Sequence, residues 1–246
     1  MKYFRKRCRA FLDERLQFTV PSVVAAIAGL LYIAAPRPVN AQATVSGHVG
    51  LRESGRKQSN DISSAFVWLV PLGFTDTKPN TVPKQTSIAM RTREFLPHIS
   101  VVAAGGLVQF PNEDPFSHNV FSNSEIGRFD LGLYPRRKTR AAALLKPGVY
   151  AVYCNIHSRM SSFILAVPTR HVAQVDKNGR FEMRDVPLGE YEFHVWHERA
   201  PEQEVRIRIE SAGTVMNLDL DARGYVPGPH LNKFGQVYPV TRADRY

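Results

Sequence analysis

The chain has 246 residues, 43% of them hydrophobic and 22% charged, which is a globular composition rather than a disordered or fibrous one. Two cysteines exclude a disulfide-stapled scaffold and a multi-cysteine zinc site. The formal charge of +10 is concentrated at the start, and residues 44–246 carry only 25 basic against 20 acidic side chains, too weak an excess to argue for nucleic-acid binding.

Residues 2–15 are strongly basic, and Phe18 to Ala35 are uncharged and mostly apolar. Pro36, Pro38 and the small-residue run Asn40-Ala41-Gln42-Ala43 follow. This order predicts a secretory signal over 1–43, with its helix, cleaved after Ala41 or Ala43. Export places the protein in the periplasm, with no membrane association after cleavage. An uncleaved segment would instead leave it membrane-anchored. Cleavage removes Cys8 and leaves Cys154 as the sole cysteine. A lone thiol in an oxidising compartment is a liability unless something such as a metal occupies it.

From residue 44 onward the pattern is alternation, not helical spacing. Val45, Gly47, Val49 and Leu51 alternate with polar or small neighbours, and Ala65 to Val70 is a continuous apolar run. Ile99–Ala103 and Leu107–Phe110 flank Gly105-Gly106 and read as a hairpin. Val149–Cys154 and Phe163–Val167 are further strands, as are alternating segments around Met183, Phe193, Ile207 and Leu218. Alternation puts His194 on the polar face of its strand. Turn signals at Asn178-Gly179, Leu188-Gly189 and Ala212-Gly213 separate the later strands, so the expected class is all-β, built of sandwiches. Residues 224–246 lack alternation and read as an extended C-terminal tail.

Tyr153-Cys154-Asn155-Ile156-His157-Ser158-Arg159-Met160 begins at a strand end and sets a thiolate, an imidazole and a thioether at Cys-x2-His-x2-Met spacing. A second imidazole, His118, stands upstream in the segment Phe110–Phe121. Two His, one Cys and a weak Met form the donor set of a blue-copper electron-transfer site. The thiolate suits Cu(I), the imidazoles also suit Cu(II), and the thioether tunes the potential. Zinc more often recruits a second cysteine or a carboxylate and omits methionine. A two-copper centre needs a second cysteine. A cysteine nucleophile needs a neighbouring base and an oxyanion site, neither of which the sequence suggests, and no enzyme activity is expected.

At these residues the chain resembles the cupredoxin family over about 84–168. Glu94 to Asn112 is similar to the family's second and third strands, and His118-Asn119-Val120 to its first-histidine signature. The short ligand loop resembles that of amicyanin, and the whole chain resembles exported plastocyanin-like proteins of the methylamine-utilisation type. The resemblance implies one type 1 copper held by His118, Cys154, His157 and Met160, with the backbone N–H of Asn119 supporting the thiolate. It implies single-electron transfer with a c-type cytochrome or a periplasmic dehydrogenase as partner, and His157 as the electron exit. The competing reading is a copper-binding module that handles or senses the metal without electron-transfer turnover. Ser158-Arg159 replaces the amicyanin loop's Pro and Phe. Arg136, Arg137, Lys138 and Arg140 form a cationic turn that could steer an acidic partner. His194 and His197 mark a weaker second metal candidate, while His48, His98, His171 and His230 have no partner at ligand spacing.

Val175 to Glu198, with D-x-x-G-x-F and V-P-x-G-x-Y turns, resembles the carboxypeptidase regulatory-like module. The expected fold is therefore a cupredoxin Greek-key sandwich plus a small transthyretin/Ig-like β-sandwich. The expected domains are 79–168 for the cupredoxin and 44–78 with 169–223 for the second sandwich, which the first interrupts. The rival arrangement is one larger sandwich over 44–168 followed by an independent module.

Overall fold

The computed structural model describes residues 41–55 and 62–238. The signal segment up to residue 40, with its helix, and residues 239–246 of the tail lie outside the described residues. The fold is all-β, with no helix among the described residues. The chain runs through β1 (Gln42–Arg52), β2 (Phe66–Leu72), β3 (Gln85–Ser87), β4 (Ala89–Arg91), β5 (Glu94–Leu96), β6 (Ile99–Ala103), β7 (Gly106–Pro111) and β8 (His118–Ser122). It continues through β9 (Phe129–Tyr134), β10 (Thr139–Leu144), β11 (Gly148–Cys154), β12 (Ser161–Val167), β13 (Val172–Gln174), β14 (Arg180–Pro187), β15 (Gly189–His197), β16 (Ala200–Ile209) and β17 (Thr214–Asp221).

The pairings sort these strands into two sandwiches. β1 lies between β14 and β17, and β2 lies between β13 and β15, with β16 beyond it. Those two sheets enclose one core, to which Val45, Leu51, Val67, Leu69, Tyr191, Phe193 and Leu220 contribute. The strands between, β3 to β12, form a three-stranded sheet in the order β10-β7-β3, a five-stranded sheet in the order β6-β12-β11-β8-β9, and the β4–β5 hairpin. They enclose a second core that includes Phe95, Phe110, Tyr134, Val152, Cys154 and Ile164.

The glycine pair after β6 makes no hairpin. β6 pairs in parallel with β12, whereas β7 pairs with β10 and β3 in the other sheet. The cause is the segment just before β3. Pro83 O accepts from Ala103 N (2.8 Å) and Lys84 O accepts from Leu107 N (2.9 Å), taking the hydrogen bonds a hairpin would have used. A Cβ on Gly106 would lie 2.8 Å from Lys84 O, so only glycine admits this crossing backbone.

Both faces of β2 and β12 are used, which explains their unbroken apolar runs. Val67 and Leu69 face the first core, while Phe66 and Trp68 face the other sandwich. There they meet Leu165, Val167 and Trp196, with Phe163 packed alongside. Beside this contact His194 is also buried, and its ring stacks on Trp68 at 4.9 Å and 7°. The polar face expected for it from alternation is covered by Trp68 of the paired strand β2.

His98 and Glu198 pair across the same contact at 2.6 Å. The hydrogen bond that His98 Nε2 donates to Glu198 raises the His98 pKa against the opposing effect of burial, and the same bond lowers that of Glu198. The raised imidazole stabilises the fold below its ordinary 6.5 and loses that contribution as pH rises through its higher folded value. The lowered carboxylate contributes above its ordinary 4.5 and loses its share as pH falls. The pair is therefore complete between 4.5 and 6.5. His98 is 45% exposed, so the expected size is below about 1 kcal/mol. Thermal unfolding of Glu198→Gln against the unaltered protein checks this. The deficit should be largest in that window and shrink as the solution becomes alkaline.

Candidate metal centre

The strand pairing that brings the ligand candidates together is local to one end of the five-stranded sheet. His118 opens β8, Cys154 closes β11, and the two strands pair with Cys154 opposite Val120. The chain then turns through 155–160 into β12. Cys154 N donates to Met160 O at 3.2 Å, Met160 N to His157 O at 3.1 Å, and Asn155 N to Asn119 O at 3.0 Å. The ligand loop is thus closed on itself and tied to the residue following His118.

Cys154 Sγ lies 3.5 Å from His118 Nδ1 and 3.5 Å from His157 Nδ1. All three donor atoms lie within 4.8 Å of one another. A metal bonded to nitrogen at about 2.0 Å and to sulfur at about 2.3 Å, at near-tetrahedral angles, requires an N···S separation of about 3.5 Å. The donors therefore fit one ion. Met160 is 2% exposed and buried in the same core as Cys154.

The electrostatics suit these roles. His118 Nε2 lies 2.8 Å from Asp114 Oδ2, so the hydrogen-bond network puts its proton on Nε2 and leaves the Nδ1 lone pair facing the sulfur. Burial lowers the His118 pKa more than Asp114 raises it, so the ring is neutral. Burial alone would raise the Asp114 pKa, but the N–H groups of Arg93 and Thr92 and the His118 ring together hold it low. Those two N–H groups donate at 3.0 and 2.6 Å. Thr92 and Arg93 can reach the carboxylate because both sit at positive φ in the β4–β5 turn. Asn112 fixes the segment before His118. Its Oδ1 accepts from Asp114 N, and its amide donates to Phe116 O and Tyr134 O.

Burial raises the Cys154 pKa, opposed by the backbone N–H groups of Ile156, Asn119 and His157, which face the sulfur. Three donors suit a thiolate, yet burial keeps the thiol protonated until a cation is present. Of these three, the sequence resemblance implied only the Asn119 N–H. Those of Ile156 and His157 were not anticipated, and neither was Asp114. A weak signal existed for Asp114, an acidic residue four positions before the histidine. Phe116 packs against both imidazoles, at 5.2 and 5.5 Å between ring centroids, and His157 is the less buried of the two.

Other polar groups have different work. His194 Nδ1 meets Glu202 at 2.8 Å, with Glu204 at 3.6 Å, and both carboxylates are exposed. His197 is not part of that group of donors. Its Nδ1 accepts from Arg199 N, so Nε2 carries the proton and donates to Ser64 Oγ at 2.8 Å. A histidine so protonated cannot act as a base for Ser64. His171 contacts Asp76, and His98 contacts Glu198. His230, which showed no partner in the sequence, lies against the ligand loop, its Nε2 at 3.1 Å from His157 O.

No family model matches the chain, and no curated protein matches it. Solved structures similar to part of it include a purple cupredoxin from Nitrosopumilus maritimus, at 17% identity over 33% of this chain and 98% of that one, with a TM-score of 0.31. Amicyanin from Paracoccus versutus is similar at 18% identity over 37% of this chain and 85% of that one, with a TM-score of 0.31. A Cu-containing nitrite reductase from Thermus scotoductus is similar at 24% identity over 39% of this chain, with a TM-score of 0.32, and the match spans 24% of the reductase.

Proposed function

We propose that this protein holds one type 1 copper ion through His118, Cys154, His157 and Met160 and transfers single electrons between redox partners. The observation that carries the reading is the spacing of one thiol and two imidazole Nδ1 atoms, each nitrogen 3.5 Å from the sulfur. When bound, copper supplies a one-electron couple. One-electron transfer makes and breaks no bond between heavy atoms, so the protein's task is to keep its donors still. Asp114 fixes the His118 tautomer, the three N–H groups face the sulfur, and the strand ends of β8 and β11 set the spacing. Phe116 shields the imidazoles on one side and leaves His157 as the more exposed donor, which makes it the electron exit.

The remaining assignments belong to the same proposal. The segment before residue 41 exports the chain to the periplasm. A c-type cytochrome or a periplasmic dehydrogenase exchanges the electron, and the exposed Arg136, Arg137, Lys138 and Arg140 steer its approach. The sandwich of β1, β2 and β13–β17 is a carboxypeptidase regulatory-like support, interrupted by the copper-binding unit. The pairing of β1 and β2 with strands after residue 170 supports that division.

Copper titration of the mature protein tests the central claim. The expected result is an intense visible band that saturates at one Cu(II) per chain and disappears on one-electron reduction. A colourless protein that takes up only Cu(I) would overturn electron transfer in favour of copper handling.

A further inference from the structure

Among the described residues the tail after β17 carries no strand, yet it is seated on the outer side of the ligand loop. Tyr238 Oη donates to Cys154 O at 2.9 Å. His230 N donates to Ser158 O at 3.0 Å, and His230 Nε2 lies 3.1 Å from His157 O. Lys233 N donates to Asn155 Oδ1 at 2.9 Å. The His230 ring stacks on Tyr153 at 4.4 Å and meets the edge of Tyr238 at 5.4 Å. Lys233 Nζ pairs with Asp130 at 2.6 Å, and the same carboxylate accepts from Asn119 Nδ2 at 2.6 Å.

The tail is itself shaped for this contact. Asn232 Oδ1 accepts from Phe234 N and Gln236 N, both at 2.9 Å, and Gly235 closes the turn at φ 77°. Such a turn presents Lys233 and Tyr238 from a fixed backbone.

We propose that residues 230–238 are a positioning element of the metal centre, acting through the backbone of the ligand loop. The inference rests on the copper reading for its purpose, but its geometry does not depend on the metal. The loop is held from two sides. The N–H groups of Ile156 and His157 turn inward to the Cys154 sulfur, and the carbonyls of Cys154, His157 and Ser158 turn outward to the tail. If the tail were lost, water would satisfy those carbonyls, so little hydrogen-bond energy would vanish. What would vanish is the restriction on the peptide planes that aim the inner N–H groups. His230 and Tyr238 are therefore positioning residues, because neither reaches the donor atoms themselves.

Two variants and two readouts test this. One variant ends the chain after Gly228, and the other is Tyr238→Phe, which removes a single hydroxyl. The first readout is amide hydrogen exchange in the metal-free protein. Truncation should speed exchange at residues 155–160 by about tenfold or more, the change expected when one or two hydrogen bonds are lost, and leave β15 unchanged. Tyr238→Phe should give a smaller change confined to the same residues. The second readout is the copper-loaded spectrum, where truncation should alter the relative intensities of the thiolate-to-copper bands and speed copper release. Simple destabilisation would raise exchange throughout and leave the spectrum of the folded protein unaltered. Unchanged loop exchange in both variants would overturn the proposal even if the unaltered protein is blue. A colourless unaltered protein would overturn the type 1 copper reading, while local acceleration of exchange would still support the positioning role of residues 230–238.

Discussion

The copper-loaded Cys154→Ser variant is expected to lose the visible band entirely and to bind copper at least about a hundredfold more weakly. The band requires electron density on a metal-bound thiolate, and a serine hydroxyl is neither soft nor deprotonated at neutral pH. The fold should survive the change. Serine is nearly isosteric with cysteine, and a hydroxyl there would meet the N–H groups of Asn119, Ile156 and His157 and the two imidazoles. A buried hydroxyl with partners costs little, so the metal-free variant should lose no more than about 1–2 kcal/mol. That combination separates the two roles open to a cysteine at the end of a buried strand. If Cys154 only fills the core, the substitution should leave copper binding and whatever colour the unaltered protein has unchanged. If it is the ligand, the colour goes and the stability stays. Absorption and thermal unfolding of the same sample decide between them, and an unaltered band would remove the thiolate from the site.

The ligand loop was legible in the sequence because its parts are close in the chain. Cys154, His157 and Met160 fall within seven residues after an alternating strand, so spacing alone puts them in one loop. His118 lies 36 positions away from Cys154, and the sequence offered it only as an upstream imidazole to complete the donor set, since its nearness depends on β8 pairing with β11. Asp114 depends on something still less local. Its carboxylate is held by a turn between two other strands, and no pattern around residue 114 announces that contact. The failures share this origin. Gly105-Gly106 has a hairpin's local chemistry, and the residues that divert it, Pro83 and Lys84, precede it by about twenty positions. Alternation correctly found the strand that carries His194 but not its burial, because the covering group is Trp68 from a distant strand. His230 has no ligand spacing at all, and only the folded tail brings it beside the loop.

Gly47→Ala is expected to be the most damaging single methyl group that can be added to the first sandwich. Gly47 sits in the middle of β1, opposite Phe181 of β14 and Met216 of β17. An alanine Cβ there would fall 1.7 Å from Met216 O and 2.7 Å from Met216 C. These are backbone atoms of the neighbouring strand, so no side chain can swing aside to make room. β1 and β17 must part, and the parallel register from Val45–Thr214 to Arg52–Asp221 loosens with them. Overpacking typically costs about 1–3 kcal/mol, and a clash with the sheet's own backbone belongs at or above the top of that range. For a chain of this size about 3 kcal/mol corresponds to a fall of roughly 6–12 °C in Tm. The metal centre should not notice. Its donors come from β8, β11 and the loop before β12, and β1 pairs with none of these strands. Below the unfolding transition the copper band of Gly47→Ala should therefore match that of the unaltered protein. An altered band in the folded variant would mean that β1 helps set the donor geometry. An unaltered Tm would mean that β1 and β17 do not pair as closely as the 1.7 Å approach requires. The expected outcome, a large loss of stability with an untouched centre, follows from a chain that leaves one sandwich after β2, builds the strands that carry the candidate site, and returns to finish the first.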